Sequence, residues 1–360
     1  MIVVFTSNKN GGIVQLTQTI AETLIKLGED VTVFCREDAN VSSSNYKVER
    51  FLPFKTLRKK SRDVISLAKR ILSQEPKYVI FTDDALPAAL TLSAIKKRAK
   101  CRCILSVHDV TSHSGIRTKF INRIKRFIKM FPIRKSYHDT DDILLYSYTS
   151  EDLFKTVYPK FQNKTVVMRL GAHLVTDVSN IPNEIDDMSK YILFFGRIDE
   201  YKGVDFLLNM FKTEHRLKNL KLIIAGKSVM SFSWLNNDGN QNITILNRFI
   251  SDEEMNWLFK NAEFVVLPYK DASQSGIIPI AYHYGKPVLI SNVDGLIEYV
   301  ENSKTGYIYT NKGEFVEYTL ALYENNKMMT ESVLHYSKNL NWEKSLSTLL
   351  VFLNERKKSE

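Results

Sequence analysis

The sequence predicts an α/β protein of two Rossmann-like domains, each a parallel sheet covered by helices, facing each other across a cleft. Three observations predict it. Short apolar, β-branched runs alternate with helical patterns along the whole chain, the mark of parallel sheets buried on both faces. The strand-like runs are too numerous for one sheet, and 360 residues exceed one ordinary domain. A polar stretch, Thr176-Asp177-Val178-Ser179-Asn180-Ile181-Pro182-Asn183-Glu184, separates the runs into two sets.

In chain order, the first set is Ile2–Phe5, Val31–Cys35, Tyr78–Phe81, Cys103–Val107, Ile143–Tyr146 and Thr165–Met168. The second is Tyr191–Phe195, Leu220–Ala225, Ile243–Leu246, Phe264–Leu267, Pro287–Ile290 and Gly306–Tyr309. The expected division is a first domain over 1–175, a linker over 176–189 and a second domain over 190–339. The segment Leu340–Arg356 has Trp342, Leu346, Leu349, Leu350 and Leu353 on one helical side, and residues 340–360 are expected to cross back onto the first domain. Open parallel sheets bind ligands at the carboxyl ends of their strands, so the cleft is the expected site.

No apolar run reaches the length of a membrane span, and Met1–Phe5 reads as a first buried strand rather than a signal peptide. Cys35, Cys101 and Cys103 form neither a disulfide frame nor a zinc pattern, which points to a reducing cytoplasm. The net charge of +10 is unevenly spread: residues 1–180 hold 30 Lys+Arg against 17 Asp+Glu, and 50–135 hold 22 against 5. Such asymmetry suits a polyanionic partner. Between Ser114 and Ser136 there are eight basic residues and no acid. On a wheel Ile116, Phe120, Ile121, Ile124, Phe127, Ile128 and Phe131 share an arc opposite Arg123, Lys125, Arg126 and Lys129. A helix of this kind lies on an anionic membrane or docks its apolar side on its own domain. No zinc-finger, helix-turn-helix or RNP-type pattern accompanies the charge, so nucleic acid is not expected.

Four stretches could carry chemistry. The first strand runs into Gly11-Gly12 before an amphipathic helix, where backbone N–H groups can approach an anion, although a tight structural turn reads the same way. Gly196-Arg197-Ile198-Asp199-Glu200-Tyr201-Lys202-Gly203 follows a strand and puts two cations, Arg197 and Lys202, where they suit a diphosphate leaving group. Ser273-Gln274-Ser275-Gly276 runs into the helix Ile277–Tyr284 and offers small residues and a hydroxyl at its start. His108 follows an apolar strand beside Asp109, and Glu298 in Asp294-Gly295-Leu296-Ile297-Glu298 can cap a helix or touch a ligand. Asp139-Thr140-Asp141 is formally a metal-type Asp-x-Asp, but it precedes its strand and reads as a turn; no metal is expected.

The run Gly196-Arg197-x5-Gly203, Ala225-Gly226, Phe249…Ser251-Asp252-Glu253-Glu254-Met255, Pro268, Gly285-Lys286-Pro287-Val288, Gly295…Glu298 and Thr305-Gly306 resembles the retaining glycosyltransferases of family 4 (glycosyl transferases group 1). Gly11-Gly12, the Leu24…Gly28-Glu29-Asp30-Val31 turn and Ser106-Val107-His108-Asp109 extend the likeness more loosely through the first half. The resemblance implies a GT-B fold and metal-independent transfer of a sugar, with retention, from a nucleotide diphosphate. By position, Arg197 and Lys202 would neutralise the diphosphate, and Gly12 would lie against it from the opposite domain. His108 would face the donor sugar, and Arg248 and Phe249 would border the nucleobase. Ser275, Gly276 and Ile277 would offer helix-start groups to phosphate or sugar. One departure stands out. The family's usual Glu-x7-Glu falls on Ala272 and Ile280, and neither accepts a side-chain hydrogen bond.

The expected function is transfer from a UDP- or GDP-sugar to a lipid-linked or growing bacterial surface glycan, with no cofactor, at the inner face of the cell membrane. Domain closure would keep water from the sugar. The rival reading is a non-catalytic nucleotide- or glycan-binding partner of an active transferase, motivated by the missing acids. An epimerase or phosphorylase on the same fold has no support in the sequence.

Overall fold

The computed structural model describes the chain except for residues 54–56, 111–130, 173–177, 186–188, 236–238 and 359–360, and the side chains of 57–61 and 357–358. Arg123, Lys125, Arg126 and Lys129 therefore lie outside the described residues, as do parts of the 176–189 stretch. The chain divides into two compact units: Met1–Val110 with the residues leading to Arg169 and the helix from Trp342, and Leu170–Asn341. The described residues 178–185 go with the second unit, where Asn256 Nδ2 donates to Val178 O at 2.8 Å and Asn180 N donates to Glu253 O at 3.1 Å.

The first unit runs β1 (Ile2–Phe5), α1 (Gly12–Lys26), β2 (Val31–Arg36), β3 (Lys47–Phe51), α2 (Leu57–Leu72), β4 (Tyr78–Phe81), α3 (Leu86–Lys96) and β5 (Arg102–Ser106). It continues with α4, described over 131–139, then β6 (Asp142–Leu145), α5 (Tyr148–Val157) and β7 (Thr165–Val167). Its sheet is parallel throughout, in the order β3-β2-β1-β4-β5-β6-β7. Every residue of β1, β4, β5 and β6 is buried, because helices cover both faces of a sheet joined by crossovers. β3 was not among the expected strands. Its Lys47-Val48-Glu49-Arg50-Phe51 is mostly charged because it is the sheet edge, where charge discourages pairing with another chain.

The second unit contains β8 (Tyr191–Phe195), α6 (Val204–Thr213), β9 (Lys221–Ala225), β10 (Ile243–Leu246), α7 (Asp252–Asn261) and β11 (Phe264–Leu267). It ends with α8 (Ile277–His283), β12 (Val288–Ser291), α9 (Asp294–Ile297), β13 (Gly306–Tyr309), α10 (Lys312–Glu324) and α11 (Lys327–Ser337). Its sheet is also parallel, ordered β10-β9-β8-β11-β12-β13. Strand order reverses direction between β8 and β11, and in the first unit between β1 and β4. Those two switch points are where loops diverge and leave a crevice at the strand ends.

The last helix, α12 (Trp342–Lys358), packs against α1 in the first unit. Its anchor is polar. Asp142, fully buried, accepts from Arg102 Nε at 2.8 Å and Nη2 at 3.2 Å, and from Arg356 Nη1 at 2.9 Å. Arg356 Nη2 donates to Asn163 O at 2.8 Å, and Tyr78 Oη donates to Asn354 Oδ1 at 2.7 Å. One carboxylate thus compensates a buried guanidinium and ties β5, β6 and α12 together.

In the second unit a backbone approach plays the corresponding part. Gly203 has φ +68°, and a Cβ there would sit 1.8 Å from the carbonyl oxygen of Pro268. Only glycine allows the turn after β8 to close on the turn after β11.

Two stability experiments test these contacts. Asp142→Ala removes the buried carboxylate that both Arg102 and Arg356 pair with and is expected to cost about 3–5 kcal/mol. The readout is denaturant unfolding followed by the fluorescence of the α12 residue Trp342. Gly203→Ala forces a left-handed conformation worth about 1–3 kcal/mol, with the clash added. It should lower the melting temperature by at least ~4 °C; an unchanged melt in either variant would remove the corresponding contact from the account of stability.

Candidate active site

The crevice at the β8/β11 switch collects most of the second unit's expected residues. Gly196 follows β8, and Arg197 next to it is exposed, its Nη2 donating to Tyr201 Oη at 3.0 Å and lying 3.5 Å from Asp199 Oδ2. Asp199 also accepts from Glu200 N at 2.8 Å, which starts the short 3-10 turn Glu200–Lys202 that delivers Lys202. The Lys202 ammonium lies 3.7 Å from the centroid of the Tyr269 ring and 4.9 Å from that of Tyr201. Two aromatic rings thus seat one cation by attraction to their π faces.

The sequence reading gave neither tyrosine a role. Tyr201 touches both cations, and Tyr269, 2% exposed, is fixed from below by Ser291 Oγ donating to its carbonyl at 2.5 Å. Burial pushes the Tyr269 phenol well above its ordinary value, helped by Tyr201 and opposed by Ser275. Lys270 N donates to Tyr201 O at 2.7 Å, so the two turns are hydrogen-bonded as well as packed.

Past Tyr269 the chain passes Ala272 and reaches Ser275, which is buried; its Oγ accepts from Ile277 N at 3.3 Å as Gly276 leads into α8. Gly295, at the start of α9, would put a Cβ 2.2 Å from Ala272 O, so this loop also rests on bare backbone. Glu298 follows α9, half-buried. Ala272 and Ile280 are 7% and 3% exposed and belong to the unit's apolar core. Both side chains at the positions where the resemblance puts the Glu-x7-Glu acids therefore serve packing.

Arg248 and Phe249 follow β10 and behave differently from each other. The Arg248 guanidinium bridges two carboxylates, Glu184 at 2.7 and 2.8 Å and Glu254 at 2.8 and 2.7 Å. Glu254 in turn completes a capping box with Ser251 at the start of α7. Those hydrogen bonds push the guanidinium pKa up, Glu184 contributing most, and pull both carboxyls down. Arg248 is thereby a brace, whereas Phe249 is 66% exposed beside the β9 end, where Val229 and Met230 are exposed too.

In the first unit Gly11 and Gly12 open α1, where no side chain caps the helix and a Cβ on either glycine would meet nothing within 4 Å. The open N–H groups there are those an anion can use. The β1–α1 turn is fixed by Asp83 at the end of β4, which accepts from Ser7 N and Ser7 Oγ, both at 2.7 Å, from Ala85 N at 3.1 Å and from Thr6 Oγ1 at 3.3 Å. His108, after β5, has its Nε2 2.8 Å from Thr82 O and its ring stacked 5.0 Å from Tyr146. A carbonyl only accepts, so Nε2 donates this hydrogen bond. Beside it, burial pushes the Asp84 carboxyl up, against a hydrogen bond from Tyr137 Oη at 2.9 Å and the nearby His108.

The Asp139-Thr140-Asp141 acids are engaged structurally. Asp139 pairs with Lys135 at 2.6 Å, and Asp141 pairs with Lys96 at 2.8 Å and accepts from Cys103 N at 2.7 Å. Among the described residues no three His, Cys, Asp or Glu side chains gather as a metal site, and no helix is long and apolar enough to cross a membrane.

Comparison with known proteins accounts for both units. Residues 10–173 match the family model described as Glycosyltransferase Family 4, and residues 189–325 match Glycosyl transferases group 1. The chain is 22% identical over 361 residues to the capsular polysaccharide biosynthesis glycosyltransferase CapM of Staphylococcus aureus, covering 93% of each. It is 30% identical over 127 residues to an uncharacterized glycosyltransferase of Methanocaldococcus jannaschii, a match that spans 34% of this chain and 32% of that protein. Among solved structures it superposes on sucrose-phosphate synthase from Thermosynechococcus elongatus with TM-score 0.76 at 12% identity, covering all of both chains. It also superposes on HepE of Anabaena in complex with UDP and glucose, with TM-score 0.75 at 14% identity over 98% of this chain and 99% of that one. Both family matches, one in each unit, and the shared two-sheet architecture lead to one conclusion: the chain belongs to the family 4 (group 1) glycosyltransferases, nucleotide-sugar enzymes of the GT-B fold.

Proposed function

We infer that the chain transfers a sugar from a UDP- or GDP-sugar to a lipid-linked or growing bacterial surface glycan, with retention at the anomeric carbon and without a metal. The observation that carries this reading is the pair Arg197 and Lys202 at the β8/β11 switch, held by Tyr201 and Tyr269. As the bond from anomeric carbon to phosphate oxygen breaks, negative charge grows on the departing diphosphate, and two positioned cations stabilise it more than the ground state. Exposed Phe249 offers a ring to the base, Ser275 and Gly276 serve the phosphates or sugar, and Glu298 remains as an acid for sugar or ribose hydroxyls. His108 is the candidate in the first unit for the reacting sugar.

CapM supports the glycan assignment by its name, and HepE, solved in complex with UDP and glucose, supports the uridine donor. The basic first half suits a phosphorylated, membrane-borne acceptor at the inner face of the cell membrane. The rival reading, a non-catalytic partner, draws on the apolar Ala272 and Ile280.

Arg197→Ala and Lys202→Ala should each lower transfer about 100- to 1,000-fold, with melting temperatures close to the parent. Mass-spectrometric assay across a nucleotide-sugar panel reads this directly. Near-normal turnover in both variants would sink the assignment. No hydrolysis, transfer or thermal stabilisation with any nucleotide sugar would favour the non-catalytic partner. Separately, anionic vesicles in low salt should sediment the protein, and charge reversal at Arg123, Lys125 and Arg126 should release it. Equal sedimentation of both versions would take membrane binding away from that segment.

A further inference from the structure

On the first unit a cavity of about 150 Å³ opens at the carboxyl ends of β1, β2 and β3. Phe51, Pro53, Leu86 and Leu90 make its apolar wall, and Ser7 and Arg36 are its polar members. All of these residues belong to the first unit, whereas Arg197 and Lys202 belong to the second. The wall is firmly built: Phe51 is buried and stacked on Phe5 at 5.2 Å between ring centroids.

The polar edge is equally fixed. Ser7 is locked by Asp83 through both its N–H and its hydroxyl. Arg36 forks onto Asp38, with Nε and Nη2 each 2.9 Å from a carboxylate oxygen. The loop behind that fork is stapled by Arg50, whose Nη1 donates to the carbonyls of Arg36, Glu37 and Ala39 at 3.4, 3.1 and 3.1 Å, and whose Nη2 donates to that of Val41 at 2.6 Å. An Arg–Asp fork offers donors and acceptors side by side, which is what a hydroxyl group needs. A bare anion would gain from Arg36 but meet the charge of Asp38, so the pair favours a neutral polyol. At about 150 Å³ the cavity has the size to admit one six-membered ring.

We propose that this cavity holds a single sugar ring, the terminal residue of the acceptor glycan, with its C–H face on Phe51, Leu86 and Leu90 and its hydroxyls read by Arg36, Asp38 and Ser7. The proposal rests on the transferase reading given above, and it assigns acceptor selectivity to Arg36 and Asp38.

Saturation-transfer NMR on the full chain tests it, with methyl α-glucoside, methyl α-galactoside, methyl α-mannoside and methyl N-acetylglucosaminide as probes. At least one glycoside should receive saturation at its ring C–H protons. Leu86→Trp, which fills the cavity, should cut that signal at least five-fold, and Arg36→Gln should change the ranking of the four. In both variants the melting shift produced by UDP or GDP should match the parent. No signal from any glycoside, or a signal that survives Leu86→Trp, would overturn the proposal. Displacement of the glycoside by inorganic phosphate, or by a nucleotide sugar, would also overturn it by making the cavity an anion or donor site. Absence of a nucleotide-induced shift in the parent would count against the donor reading instead, whatever the glycosides show.

Discussion

The contact between two bare backbones, at Gly203 and the carbonyl of Pro268, organises the second unit's chemistry. Strands β8 and β11 are neighbours in the sheet but separated by two other strands in sequence, and their following turns diverge unless something draws them together. Glycine at 203 lets them meet. Once they meet, Lys202 reaches the Tyr269 ring, Lys270 N reaches Tyr201 O, and Tyr201 becomes a common seat for both cations. Lying over aromatic rings leaves the Lys202 ammonium partly desolvated while the ring faces attract its charge.

The architecture was legible because buried parallel strands leave an unmistakable apolar run, and twelve of the thirteen strands among the described residues announced themselves so. The exception, β3, carries Lys47, Glu49 and Arg50 because one side of it has no neighbouring strand. Arg197, Lys202 and Gly203 could be found from spacing alone, since a short segment fixes all three. Tyr269 could not, because its meeting with Lys202 is made by tertiary structure across 67 residues. Arg248 shows the same limit from the other side. Its position marked a base-binding neighbourhood, yet Glu184, from a stretch read as linker, and Glu254 take up its guanidinium.

The apolar character of Ala272 and Ile280 follows from where they pack. Ile280 sits inside α8 among buried neighbours, and a carboxylate at its place would have to carry charge into an apolar core. Ala272 lays its backbone close over Gly295, and its own side chain is buried in the same core. In the loop between β11 and α8 the backbone and Ser275 supply the polarity.

The anchoring of α12 has a consequence for how the protein is made. The first unit begins the chain, yet the guanidinium of Arg356 and the amide of Asn354 that complete it are synthesised after the whole of the second unit. On the ribosome the second unit can close its core while the first still lacks a partner for the outer side of Asp142 and a cover for α1. The usual order of maturation, amino-terminal domain first, is reversed here at the final step. The nascent first unit must stay soluble through that interval, and its dense positive charge provides the mutual repulsion that helps it do so.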